Sequence, residues 1–154
     1  MDHTHHHEQA NTSGIAVSAT LHCLTGCAIG EITGLIIGTI LGLGTGVTIL
    51  LAIGLAFLFG YSLSMLPLLR GGLTFGAALP IILAADTLSI AVMEIVDNIV
   101  MAVVPGAMNA GLVNPVFWLA MPIALTAAFF AALPVNRYLI SRGRGHALVH
   151  EHHG

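Results

Sequence analysis

Four apolar runs, roughly Ile15 to Leu43, Val47 to Leu69, Leu73 to Val104 and Leu112 to Ile140, make up most of this chain. Each is longer than the ~20 residues that cross a bilayer as a helix. Only 7% of the 154 residues are charged, so no water-facing shell can be built around these runs; ordinary soluble domains carry about 25%. Helices are favoured over a barrel because the runs are continuous and lack the residue-by-residue alternation of membrane strands. The expected fold is all-α, a polytopic membrane protein with four transmembrane helices. It leaves a 15–140 membrane domain between polar tails at 1–14 and 141–154.

The positive charges orient the chain. It has four arginines and no lysine: Arg70 follows the second run, and Arg137, Arg142 and Arg144 follow the fourth. The connections at Gly44–Gly46 and Pro105–Gly111 carry no charge. With an even number of spans the arginines and both termini share one side, which the positive-inside rule makes the cytoplasm of a bacterial inner membrane. The start, MDHTHHHEQ, is acidic and histidine-rich, unlike the basic start of a cleaved signal peptide. So few basic residues also argue against a nucleic-acid partner.

The two halves resemble each other. Glu31-Ile32-Thr33 with Ile36-Ile37 matches Glu94-Ile95-Val96 with Ile99-Val100 at an offset of 63, and Leu66-Pro67-x-x-Arg70 matches Leu133-Pro134-x-x-Arg137 at an offset of 67. The expectation is two helical hairpins, about 15–70 and 73–140, related as parallel repeats about an axis along the membrane normal. At the offset of 63, Cys23 corresponds to Asp86 and Glu31 to Glu94.

These pairs concentrate chemistry in an apolar setting. At about 100° per residue, Cys23, Cys27 and Glu31 fall within an arc of about 80°, and Asp86, Met93, Glu94, Asp97 and Met101 within about 100°. The first and third runs thus each carry one liganding face. Four of the seven acidic residues, Glu31, Asp86, Glu94 and Asp97, lie in the runs with no arginine near their depth. Carboxyls so placed must be protonated, meet water or hold a cation. Intramembrane ionisable groups are functional-site hypotheses by default. Gly26, Gly30, Gly34, Gly38 and Gly42 recur every fourth residue along the first run, a small-xxx-small stripe that lets helices approach closely. Because Gly30, Gly34 and Gly38 correspond to Met93, Asp97 and Met101, the stripe is expected to leave room for the ligands of the third run. Helix packing or homodimerisation is the plainer use of such a stripe.

Thiols and thioethers select soft ions and carboxylates harder ones. The mixture points to a transition metal, copper as Cu(I) first, with zinc and iron behind. His22 lies about 100° around the helix from Cys23 and need not share its site. The spacing of Cys23 and Cys27 is poor for a structural disulfide. Eight further histidines sit in the tails: His3, His5, His6 and His7 at the start, and His146, His150, His152 and His153 at the end. Short histidine-rich tracts read as metal-binding. Trp118 and Tyr138 suit interfacial anchors.

The segment LHCLTGCAIGE, from Leu21 to Glu31, with MEIVDN, from Met93 to Asn98, resembles a bacterial integral-membrane domain family of unknown function. The resemblance spans most of 15–140. That family is similar to membrane domains joined to multicopper-oxidase or cupredoxin-like regions, which implies a compact four-helix unit and an association with copper. It implies no assigned activity, and fold analogy does not establish one.

The expected function is transport or channelling of Cu(I) between the first and third helices. Cys23, Cys27 and Asp86 form an inner site on this reading, Glu31, Glu94 and Asp97 a midplane site, and Met93 and Met101 carry the ion outward. The lipid bilayer, the metal ion, further copies of the chain and a copper oxidase or metallochaperone are the expected partners. Two other classes compete. A membrane oxidoreductase would use the carboxylates for a redox metal or hold a haem, and Glu94-x-x-Asp97 is close to the Glu-x-x-His spacing of di-iron bundles but lacks the histidine. An assembly or buffering protein would act through its tails alone.

Overall fold

The computed structural model describes residues 3–142, with side chains from Thr12 onward. Four helices follow in order: α1 (His3–Ile40), α2 (Thr45–Arg70), α3 (Phe75–Val103) and α4 (Pro115–Ser141), with a 3-10 turn at Ala107–Asn109 before α4. No strand occurs among the described residues. All four helices are long and apolar enough to cross a membrane, the spans being Thr12–Ile40, Thr45–Arg70, Phe75–Val103 and Pro115–Ser141. The shortest, of 26 residues, is about 39 Å long, so each overreaches a hydrocarbon core of about 30 Å by tilting or by projecting into the headgroups.

The first tail does not stand apart from the membrane domain. Its backbone is helical from His3 and continuous with α1, because nothing between His3 and Ile40 is a proline and the one glycine before the apolar run, Gly14, does not break the helix. The side chains of His3, His5, His6 and His7 lie outside those described, as does the segment holding His146, His150, His152 and His153.

The helix ends follow local chemistry. α1 and α2 close alike, Leu43 N–H donating to Gly38 O at 2.8 Å and Leu73 N–H to Leu68 O at 3.2 Å. Gly42 and Gly72 take the positive φ, 63° and 93°, that such six-residue closures require. Asn114 caps α4 by accepting from Val116 N–H at 3.0 Å, with Pro115 in the first helical position. Trp118 donates to Leu112 O at 2.7 Å, and the Arg142 guanidinium sits 5.3 Å from the centre of the Tyr138 ring.

α1 and α2 make the most extensive contact, α3 and α4 the next, and α1 also meets α3. The glycine stripe explains the first of these. A Cβ on Gly26 would meet Gly60 Cα at 2.5 Å, one on Gly30 would strike the backbone of Ala56, one on Gly34 would meet Ala52 Cα at 2.6 Å, and one on Gly38 would meet Thr48 Oγ1 at 2.5 Å. This is an antiparallel ladder in constant register, glycine on α1 against a small residue on α2 at four successive turns. The expectation that these glycines leave space for α3 is therefore corrected: at Gly26, Gly30 and Gly34 the space is filled by the backbone of α2 and at Gly38 by the Thr48 side chain, while Gly42 ends the helix in open space. Homodimerisation is not their use either, since the same face is already occupied within the chain.

Across the bundle, Asn136 of α4 donates to Thr20 Oγ1 of α1 at 2.8 Å, and Thr20 in turn donates to Ala16 O at 2.7 Å. Both residues are buried. Interhelical hydrogen bonds of this kind average about 0.6 kcal/mol and reach about 1.7. Asn136→Ala is expected to lower stability in detergent by about 1 kcal/mol with α1 and α2 still paired, as read by thermal unfolding and by cross-linking of the α1–α2 hairpin.

Candidate functional site

The acidic residues and the thiols converge on the α1–α3 diagonal. Cys23, Cys27, Met93, Asp86, Glu94 and Asp97 are all buried, and Glu31 is half-buried. They meet across the two helices mainly in pairs. Cys23 lies against Asp86 and Ser89, Cys27 lies beside Glu94, and Glu31 is within side-chain hydrogen-bonding reach of Asp97. The reason is geometric: residues four apart on a helix rise about 6 Å, so each ligand of α1 is level with a different ligand of α3. The inner group of Cys23, Cys27 and Asp86 separates onto two levels, whereas in the midplane group Glu31 pairs with Asp97, Glu94 stands beside Cys27, and all three carboxyls line one cavity. Among the described residues, no three His, Cys, Asp or Glu side chains are grouped so as to hold one metal ion. What the helices build is a row of two-sided rungs.

The row extends past these residues. Below Cys23 come Thr20 and Asn136, and from Thr20 to Glu31 the polar groups span about 17 Å of the helix axis, over half the hydrocarbon thickness. Met93 packs in the same cluster as Cys23, Cys27 and Ile90, placing a thioether in the wall. Two buried hydroxyls, Ser64 of α2 and Ser89 of α3, were not singled out in the sequence. Hydroxyls in membrane helices ordinarily satisfy themselves on the carbonyl one turn back, as Thr20, Thr25, Thr48, Ser62, Thr87 and Thr126 do. The Oγ atoms of Ser64 and Ser89 have no hydrogen-bond partner in the protein, and neither do Glu94 Oε1 and Oε2, Glu31 Oε1 and Asp97 Oδ1. Glu94 is 4% exposed. Buried polar atoms are paired in the great majority of cases, so the unpartnered oxygens of Ser89, Glu94, Glu31 and Asp97 along the row mark a place where water or an ion completes the hydrogen bonding.

The carboxyl end of the row opens into a cavity of about 70 Å³ lined by Glu31, Glu94, Asp97, Asn98, Met101 and Met108 among others. At about 10–15 Å³ per water on this measure it holds a few waters. Met101 thus stands beyond the carboxyls, near the α3–α4 connection. His22 is exposed on the outer face of α1, its Nδ1 2.8 Å from Ser18 O, and it takes no part in the row.

No curated protein and no solved structure matches the chain. Residues 14–145 match the domain of unknown function DUF4396, a match that carries no link to multicopper oxidases. Apart from the first residues of α1, the four-helix unit with its central polar row lies within that match, and the chain belongs to the DUF4396 family.

Proposed function

We propose that the chain is a membrane permeation unit for a transition-metal cation, Cu(I), which passes along the α1–α3 row. The observation that carries this reading is the line of buried carboxyl, thiol and hydroxyl groups on α1 and α3, in which Glu31 Oε1, both oxygens of Glu94, Asp97 Oδ1 and Ser89 Oγ have no hydrogen-bond partner in the protein. A closed four-ligand cage retains its ion. Successive two-sided rungs suit an ion that must leave as well as arrive, since conduction needs several sites of limited strength. Cys23, Cys27, Met93 and Met101 supply the soft donors that favour Cu(I) over alkali ions. The resemblance to membrane domains joined to multicopper oxidases points to the same metal and to an oxidase or metallochaperone as partner.

The remaining expectations fit this reading. Both termini face the cytoplasm of a bacterial inner membrane, with Arg70, Arg137 and Arg142 on that side. The histidine tails collect or release the ion there. The row runs inside one bundle, so a homo-oligomer would hold several independent paths. The offset of 63 relates Cys23 to the Asp86 it faces, as duplicated hairpins about a central axis would.

The Glu31–Asp97 contact and the unpartnered hydroxyls favour one second reading, a proton path. One experiment separates the two. Purified protein in liposomes is loaded with Cu(I) held by a soluble chelator, and internal copper and internal pH are followed together. Copper uptake that falls about tenfold, a change of about 1.4 kcal/mol in barrier, in Cys23→Ser/Cys27→Ser supports the metal reading. Acidification without copper uptake, insensitive to the thiols, overturns it in favour of protons.

A further inference from the structure

The cavity at the carboxyls does not stand alone. A second cavity, of about 350 Å³, is lined by Leu35, Thr48, Ile49, Met108 and Ala110, all of which also line the first. Its remaining walls lie on the side away from the termini: Gly38 and Thr39 at the end of α1, Gly42 and Leu43 in the α1–α2 turn, Thr45 at the start of α2, and Asn109 and Gly111 from the α3–α4 connection. The five shared residues set the two cavities side by side, between that surface and Glu94. At their outer end Thr45 Oγ1 donates to Asn109 Oδ1 at 3.2 Å, and both are exposed. That bond ties the two connections together across the mouth.

The lining of the two cavities changes character with depth. Thr45, Thr48 and Asn109 line their outer part, two thioethers, Met101 and Met108, stand around the neck, and three carboxyls close the bottom. On the other side of the carboxyls the interior is filled: Ile90 and Met93 are 0% and 1% exposed, and Met65, Leu68, Ala78 and Ile82 pack together nearer the termini. Acid groups at the blind end of a low-dielectric cleft focus its field and raise the local concentration of cations.

We propose that these cavities form one cation-selecting aqueous vestibule, opening between the 41–45 and 104–111 connections under the Thr45–Asn109 bond and ending on Glu31, Glu94 and Asp97. Met108, on the 3-10 turn, joins Met101 as a thioether wall that a cation passes before it reaches the carboxyls. The ligand class is a small cation with a partial water shell, for which the cavity over the carboxyls has room. The inference rests on the cation reading above and adds the side from which the row is reached.

Cysteine accessibility tests it in the full chain. Ile49→Cys places a thiol at the junction of the two cavities, Asn109→Cys marks the mouth, and Leu50→Cys, at a position 71% exposed on the outer face of α2, is the lipid-facing control. Membrane-impermeant cationic and anionic methanethiosulfonates are applied to sealed, oriented vesicles. Rates are normalised to a small free thiol, with the wild-type chain giving the background from Cys23 and Cys27. The vestibule predicts that Ile49→Cys reacts from the Asn109 side while Leu50→Cys does not, with about a tenfold preference for the cationic reagent that shrinks in Glu31→Gln. It also predicts that Asn109→Ala speeds the reaction at Ile49→Cys. Labelling at Asn109→Cys without labelling at Ile49→Cys overturns the passage, and equal normalised rates for the two reagents overturn the selection. Labelling is independent of flux: a reactive Ile49→Cys in a chain that moves no copper leaves the vestibule standing and removes the transport reading, and copper uptake with an unreactive Ile49→Cys does the reverse.

Discussion

Gly30→Ala is expected to disrupt this protein more than any other exchange of glycine for alanine within its helices. A methyl group there strikes the backbone nitrogen and Cα of Ala56, and backbone cannot turn aside as the end of a side chain can. The helices must separate over at least a turn, which also loosens the contacts of Gly26 and Gly34. Overpacking of this kind costs about 1–3 kcal/mol, and the about 1 kcal/mol that alanine gains in helix propensity offsets only part of it. A net loss of about 1–2 kcal/mol is expected, with a larger one for Gly30→Leu, read as a lowered thermal midpoint in detergent and weakened α1–α2 cross-linking. Two comparisons fix the cause. Gly54 has open space where its Cβ would stand, so Gly54→Ala should be neutral or slightly stabilising. At Gly60 the nearest atom is Ile90 Cδ1, the free end of a flexible side chain, so Gly60→Ala should fall between. Equal effects at all three positions would show that the ladder does not hold the hairpin.

Glu94→Met is expected to move stability and transport in opposite directions. The carboxyl is almost wholly buried, its two oxygens lack protein partners, and Ile90, Met93 and Val96 nearby belong to an apolar cluster. A methionine of similar length removes an uncompensated polar group without leaving a hole, worth about 1–3 kcal/mol in favour of the fold. The same change removes the group that links the Cys27 rung to the Glu31–Asp97 rung. Copper uptake should fall by about tenfold or more, corresponding to at least about 1.4 kcal/mol on the barrier. A higher thermal midpoint with impaired uptake is the signature of a residue kept for function at the expense of stability. A lower midpoint with unchanged uptake would make Glu94 a structural hydrogen-bonding group and remove it from the path.

Much of the architecture was readable in the residues because run length and turn chemistry act locally. The four spans agree to within a few residues, and Gly42, Gly72 and Pro115 stand at helix boundaries as their backbone preferences require. Partnership was harder. A stripe of glycine tells which face of α1 is thin but not which helix fills it. A signal was present: Thr48, Ala52, Ala56 and Gly60 repeat on α2 with the same four-residue spacing, and a four-residue turn makes α2 the natural antiparallel neighbour. The candidate site shows the same limit. Helical projection put Cys23, Cys27 and Glu31 on one face and Asp86, Glu94 and Asp97 on another, yet it could not say which thiol stands level with which acid, since that depends on how far α3 is shifted along α1. Ser64 and Ser89 escaped notice because serine in a membrane helix usually bonds to its own backbone; only the three-dimensional arrangement shows that these two do not.

The glycine ladder also bears on how the interior can change shape. Backbone of α2 stands under Gly26, Gly30 and Gly34 and the Thr48 side chain under Gly38, so these two helices cannot slide or splay without losing all four contacts together. They behave as a stator. Of the two walls of the polar row, the one carrying Cys23, Cys27 and Glu31 is held to this stator, and the other is on α3, whose contacts with both α1 and α2 are less extensive. Opening and closing between the rungs therefore falls to α3 and the helix that follows it, rocking as a second body against a fixed first one.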